Sequence, residues 1–397
     1  MGRRIPPLAT LFGLIPAVLL AAVPGGAGAQ SFLGYRALGL PVGAAQARAV
    51  ALGNLGIGLP GVQVNASDPA SAARILFPTV SVSMQPTWGD FNLDGQTGTT
   101  RTTRFPMIGI GYPVLSAEGT VTVSLSGHME QRWAGEQDRV VSLGGIDVPV
   151  NDRFETNGGS SVARVGWAQR LGDRFALGGS VGTYIGRIDQ EFQRTLDSLV
   201  VGSDVRSYEE NSSWQYGGYT FSAGFMADPH DLIHLAGAVE WSGDLTQEPR
   251  LETGEPGLSY SIPLRLSGGA TSRLSQRLHI NGSFVYQDWS AARGFEPGVV
   301  SDEKLSYGAG LEMQLIQRET RSFPMRLGYR HSALPFGYRD QGAVETSWSL
   351  GFGVNLVEIE GVRFGWMDFA AERGTRMSAP LSENFWRATI SIGISSS

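Results

Sequence analysis

The sequence predicts an all-β protein, a transmembrane antiparallel β-barrel of about 14 strands with an N-terminal plug folded into its lumen. Three observations carry that expectation. Stretches of alternating apolar and polar residues recur from Thr79 to the C-terminus, and period-2 alternation offers one face of each strand to lipid and the other to a lumen. The connections between them run long, then short, then long again, which segregates the two kinds of end to opposite sides of a membrane. Beyond the N-terminus no run is long and apolar enough for a membrane helix, which leaves the barrel as the spanning structure that satisfies its own backbone.

Residues 1–29 come first. Arg3 and Arg4, an apolar stretch from Leu8 to Val23 and the small residues Ala27-Gly28-Ala29 before Gln30 make a secretory signal. The apolar run falls short of the ~20 residues of a membrane anchor and contains Pro16 and Pro24. Residues 30–78 then break the strand pattern. Gly43 to Leu52 and Asp68 to Leu76 are rich in small residues, and Asp68-Pro69 reads as a helix N-cap followed by proline at the first helical position. The segment is too apolar for a simple tail and is expected to fill the barrel as a plug.

Residues 79–397 form the wall. Strands are expected near 79–88, 105–113, 119–133, 159–171, 174–187, 213–227, 232–243, 258–272, 276–289, 303–317, 323–332, 344–356, 361–371 and 384–395. Val121, Val123, Leu125 and Met129 would face lipid, as would Leu278, Ile280, Phe284 and Tyr286, and the isoleucines of the last strand. Short connections such as Gly172-Asp173 and Asp228-Pro229 belong to the periplasm, and the long ones at 89–104, 134–158, 188–212, 244–257, 290–302, 333–343 and 372–383 to the outside. Trp88, Trp133, Trp214, Trp241, Trp289 and Trp386 fall at the outer strand ends, where an aromatic girdle sits at the headgroup level.

Composition excludes several classes. There is no cysteine, hence no disulfide framework and no thiolate metal site. The net charge is -6, Lys304 is the sole lysine and no basic run exists, which argues against a nucleic-acid partner. The 54 glycines would disrupt a helical protein and suit curved strands and tight turns.

Several segments resemble the FadL-like family of outer-membrane transporters, fourteen-stranded barrels for long-chain fatty acids and other hydrophobic compounds. They are Ala47-Arg48-Ala49-Val50-Ala51-Leu52-Gly53, Asn65-Ala66-Ser67-Asp68-Pro69-Ala70, Ile262-Pro263-Leu264-Arg265-Leu266-Ser267-Gly268-Gly269 leading to Gln287-Asp288-Trp289-Ser290, and Arg326-Leu327-Gly328-Tyr329-Arg330. The family carries an Asn-Pro-Ala turn in the hatch that plugs its lumen; Asp68-Pro69-Ala70 stands at the corresponding place, with Asn65 before it, and keeps the turn chemistry. The chain finishes on Ser395-Ser396-Ser397, so the barrel-assembly machinery is expected to read Trp386 and the isoleucines after it.

With the apolar face outside, Arg164, Arg265, Arg326, Arg330, Arg363 and Arg387 point inward, together with Glu130, Glu240 and Glu312. They either pair with one another or hold the carboxylate of an amphipathic ligand, and Arg265 and Arg326, which lie in the resembling segments, are the ligand-binding candidates. Asp90-Phe91-Asn92-Leu93-Asp94-Gly95 matches the first half of a calcium loop, but Arg101 stands at the twelfth position where a bidentate Glu belongs; a polar turn and a weak metal site formed by Asp90, Asn92 and Asp94 both remain open. His128, His234 and His279 point inward from different strands without a nucleophile elbow, metal pair or acid dyad, so neither catalysis nor a cofactor is expected. The expectation is a bacterial outer-membrane protein, embedded in outer-membrane lipid, that transports hydrophobic or amphipathic small molecules. A structural or assembly barrel that partners secretion is the alternative.

Overall fold

The computed structural model describes residues 31–396 apart from 36, 44, 115–117, 144, 197–206, 251–255, 291, 296–302, 319–320, 339–340 and 360–361. The signal-peptide expectation for residues 1–29 lies outside the described residues. A closed antiparallel barrel of 14 strands forms the wall. In chain order these are β1 (Thr79–Leu93), β2 (Gln96–Val114), β3 (Gly119–Leu143), β4 (Ile146–Arg170), β5 (Phe175–Leu196), β6 (Tyr208–Gly217 and Tyr219–His230), β7 (Ile233–Ser242 and Leu245–Pro249), β8 (Leu258–Tyr260 and Arg265–Arg273), β9 (Leu278–Asp288), β10 (Glu303–Arg318), β11 (Arg321–Tyr338), β12 (Gln341–Ile359), β13 (Val362–Ser378) and β14 (Leu381–Ser395). Each pairs with the next, and β14 closes on β1 with Ile394 opposite Val80 and Trp386 opposite Trp88.

Alternation sorts the two faces as expected. Val80, Ile108, Ile110, Leu350 and Phe352 are exposed on the outside, whereas Ser81, Ser83, Ser124, Ser126, Ser347 and Ser349 are buried inside. No described helix is long and apolar enough to cross a membrane.

Three details differ from the sequence reading. Much of what was expected as long loop is β-ribbon: β3 and β4 run 25 residues each, and β1 meets β2 through Asp94-Gly95 alone. A crossing needs ~9–11 residues, so these hairpins stand well beyond the apolar band, where both faces are polar and alternation carries no signal. The register of β3 against β4 shifts between Gly127 and Met129, and this bulge turns Met129 inward, where it is buried. Finally, Trp88, Trp241 and Trp386 are exposed on the outer surface, but Trp289 is buried in the interior, and Trp133 and Trp214 pack inward against Phe32 and the interior cluster around Tyr216.

Pairing of β2 with β3 runs only from Val114 opposite Gly119 to Met107 opposite Ser126. Above that point β3 leaves β2, and Glu130 and Met129 pair instead with Leu40 and Pro41 of the N-terminal segment. Pro106 has no N–H to offer at the parting, and Arg132 bridges it by hydrogen bonds to Thr102 Oγ1 (3.2 Å) and the Thr103 carbonyl (3.3 Å).

Candidate functional site

The segment from Ser31 to Phe77 lies against the inward face of the wall, and its own small residues explain how. A short helix, α1 (Ala47–Ala51), is buried throughout and packs against Ala370 on β13. Gly53, in the left-handed region at φ 60°, then brings bare backbone onto bare backbone: a Cβ on Gly308 or Gly328 would overlap it. Asn54 holds the next turn, its Oδ1 accepting from the N–H groups of Gly56 (2.7 Å) and Ile57 (3.0 Å). Asn65 ties that turn to the following one, donating to the Gly56 carbonyl (2.6 Å) and accepting from the Ser67 N–H (3.0 Å). Asp68 and Pro69 open a short 3-10 helix, Pro69–Arg74, at the expected N-cap and first position. The Asp68 side chain does not cap it; its backbone carbonyl accepts from Ser71 instead.

Among the described residues, three carboxylates of the wall anchor this segment. At the outer end Ser31 Oγ (2.6 Å) and the Phe32 N–H (2.6 Å) donate to the Glu383 carboxylate. In the middle Arg48 grips Glu312 through Nε (3.0 Å) and Nη2 (3.1 Å). Near the short turn after β6, Arg74 binds Asp228, which also meets His234 Nδ1 at 2.8 Å. Asp68, almost fully buried with one carboxylate oxygen lacking a partner among the described residues, has its pKa pushed up to about 6 by burial, against a weaker opposing hydrogen bond from the Gly58 N–H.

Between the segment and the wall lies a cavity of about 170 Å³. Val42, Leu55, Met129, Ile262, Val285 and Leu334 supply its apolar walls, and Arg164, Glu240, His128 and Arg265 its polar edge. Arg164 is committed to Glu240 at 2.9 Å and to Ser126 Oγ at 2.6 Å. Arg265 lines the same cavity, and among the described residues no carboxylate pairs with it. The cavity can therefore hold a small apolar body beside one guanidinium. Above it, at the outer mouth, Phe32, Trp133, Phe154 and Phe192 line an open groove of about 730 Å³.

The two arginines singled out by sequence have different surroundings. Arg326 does not line the cavity; it is buried between β10 and β13, where Glu312 (2.6 Å) and Asp368 (2.6 Å) take its donors. Arg330 and Arg387 are likewise engaged, by Glu345 and Glu372. The side chain of Arg363 lies outside the described residues. Asp90, Asn92 and Asp94 occupy the tip of the first hairpin: Asn92 Oδ1 accepts from the Gly95 N–H (3.1 Å) and Asp90 from Asn384 Nδ2 (3.0 Å). Among the described residues no group of three His, Asp or Glu side chains is arranged to hold a metal ion.

Sequence reasoning missed Arg48, Glu383 and the carboxylates of β12 and β13. Arg48 carried a usable signal, because a lone charge inside an alanine stretch that is to be buried demands a partner.

No family model matches the chain, and no curated protein matches it by sequence. Solved structures do. The toluene transporter TbuX of Ralstonia pickettii superposes with a TM-score of 0.60 at 12% identity, over 89% of this chain and 99% of its own. A FadL homologue of Pseudomonas aeruginosa gives 0.60 at 13% identity over 90% and 99% of the two chains. The fold is that of the FadL-like barrels. The P. putida toluene transporter TodX, at 11% identity and a TM-score of 0.58 over 89% of this chain and 99% of its own, shares it as well.

Proposed function

We propose that the protein is an outer-membrane transporter that passes hydrophobic or amphipathic small molecules through a barrel plugged by its own residues 30–78, with no chemistry of its own. The observation that carries the reading is the cavity of about 170 Å³, walled in part by Val42, Leu55, Met129, Ile262, Val285 and Leu334, with Arg265 at its polar edge and without a carboxylate partner among the described residues. An apolar cavity of ~150 Å³ takes up a benzene ring, so this one suits a single ring or a short chain, and a long acyl chain enters only as the plug shifts. The names of TbuX and TodX as toluene transporters support the smaller class of substrate.

In this reading the aromatic groove at the outer mouth collects the molecule, and the cavity receives it. Arg265 holds a carboxylate where the ligand has one, through two parallel hydrogen bonds. Arg326 serves the wall, because both of its acidic partners are already in place. Asn65, Asp68 and Pro69 shape the turns that keep the plug seated below the cavity. The parting of β2 from β3 gives the molecule a second way out, through the wall.

The test is to purify the barrel from membranes in detergent, extract it, and identify what co-purifies by mass spectrometry. A recurrent hydrocarbon or fatty acid is expected, with acids lost selectively from an Arg265→Met variant. Recovery of a stoichiometric protein partner with no hydrophobic molecule would overturn transport in favour of an assembly role.

A further inference from the structure

Along the outside of the barrel the cross-strand registers align one row. Arg101 on β2 lies opposite Trp88 on β1, and Trp88 opposite Trp386 on β14. Trp386 lies opposite Arg373 on β13, Arg373 opposite Trp348 on β12, and Trp348 opposite Tyr329 on β11. The two arginines and three tryptophans are exposed, with the Arg373 guanidinium 5.3 Å from the centre of the Trp386 ring.

The row marks a boundary. Below it the same faces carry Val80 and Val82 on β1, Ile108 and Ile110 on β2, and Leu350 and Phe352 on β12; above it stand Asp90, Asn92, Thr97, Thr99 and Asn384. A guanidinium on the outside of a barrel is costly at the midplane and costs almost nothing at the interface, which is where this boundary puts both arginines. Among the described residues neither forms an ion pair. Asp90, on the same face of β1, accepts its hydrogen bond from Asn384. Three strand spacings of ~4.8 Å separate Arg101 from Arg373, about 14 Å in all, with the Trp88–Trp386 pair between them.

We propose that this row binds the headgroup of an outer-leaflet glycolipid whose glucosamine disaccharide bears a phosphate at each end, that is, lipid A. Arg101 and Arg373 take the two phosphates by charge-assisted hydrogen bonds, and the indoles of Trp88 and Trp386 lie against the sugar rings between them. A glycerophospholipid has one phosphate and no rings, and leaves half of the row unused. The assignment rests on the outer-membrane reading above.

The test uses the full barrel in detergent, titrated with bisphosphoryl lipid A, with monophosphoryl lipid A and with phosphatidylglycerol, and read by tryptophan fluorescence. Heat-modifiable mobility on gels, after reconstitution of the same samples into bilayers, scores insertion separately. Bisphosphoryl lipid A should bind roughly fivefold tighter than the monophosphoryl form, from the ~1 kcal/mol that one basic residue contributes at an anionic surface. Arg101→Gln or Arg373→Gln should each abolish that preference, and the two together should weaken binding roughly 30-fold. Equal affinity for the two lipid A forms, or phosphatidylglycerol binding as well as either, would overturn the assignment while leaving the barrel reading intact. A chain that fails to insert at all overturns the outer-membrane reading, and this assignment with it.

Discussion

Replacing Glu312 with Gln should unseat the N-terminal segment and leave the wall standing. Glu312 is buried on β10 and accepts from Arg48 of the segment at 3.0 and 3.1 Å and from Arg326 of the wall at 2.6 Å. Arg326 in turn holds Asp368 at 2.6 Å, so two cations and two anions balance inside one cluster. Glu312→Gln leaves two buried arginines facing one carboxylate. Removing one partner of a buried pair costs ~3–5 kcal/mol, because the charge left behind is uncompensated. Arg326 keeps Asp368, so the imbalance falls on Arg48, the member that can leave by moving the segment. At 1.4 kcal/mol per factor of ten, the displaced population should rise by about two to three and a half orders of magnitude.

Single-channel recording in planar bilayers reads this directly: the parent should be closed to small ions and the variant should open in bursts. A combined Arg48→Leu, Glu312→Gln variant removes the anchor and also the stranded charge, so it should leak less than Glu312→Gln alone. Currents from Glu312→Gln that match the parent would refute the argument, and so would a double variant that leaks more than the single one.

Three other outcomes are expected. Asp68 has a folded pKa of about 6, above its ordinary 3.8, so protonation favours the seated segment; this contribution, on the order of 3 kcal/mol, is complete below pH ~4 and lost as pH rises through about 6. Conductance should therefore increase between pH ~4 and ~7 and level off above that, and Asp68→Asn should make it flat; a parent with the same slope as the variant would remove Asp68 from the account. Ile280→Arg on the outer face of β9 should destabilise the barrel by ~2–4 kcal/mol in urea titrations from vesicles, whereas Gln287→Glu, which faces the cavity opposite Arg265, should be tolerated. Arg265→Met should weaken binding of a short carboxylic acid by ~1.5–3 kcal/mol, the value of a hydrogen bond to a charged group, and leave toluene binding unchanged in calorimetric titrations.

What the sequence disclosed and what it hid follow from the reach of each signal. Strand number and facing are local, period-2 properties, and so Val80, Ile108 and Leu350 could be placed on the outside by inspection. The bulge at His128 is local too, yet it leaves no compositional mark, and Met129 was assigned to the wrong face because one inserted residue inverts every position after it. Contacts between the N-terminal segment and the wall depend on residues hundreds of positions apart, such as Ser31 with Glu383, and no spacing rule connects them.

The same limit explains the arginines. Arg265 and Arg326 are indistinguishable in sequence, each an inward arginine in a strand of alternating residues. What separates them is whether a neighbouring strand brings a carboxylate within reach: β10 and β13 bring Glu312 and Asp368 to Arg326, while Glu240, directly across from Arg265 on β7, is already bound by Arg164 from β4. A charge left over in this way is invisible to any reading of one strand at a time. It becomes visible once cations and anions are assigned to one another around the closed wall, and that assignment leaves Arg265 facing the cavity.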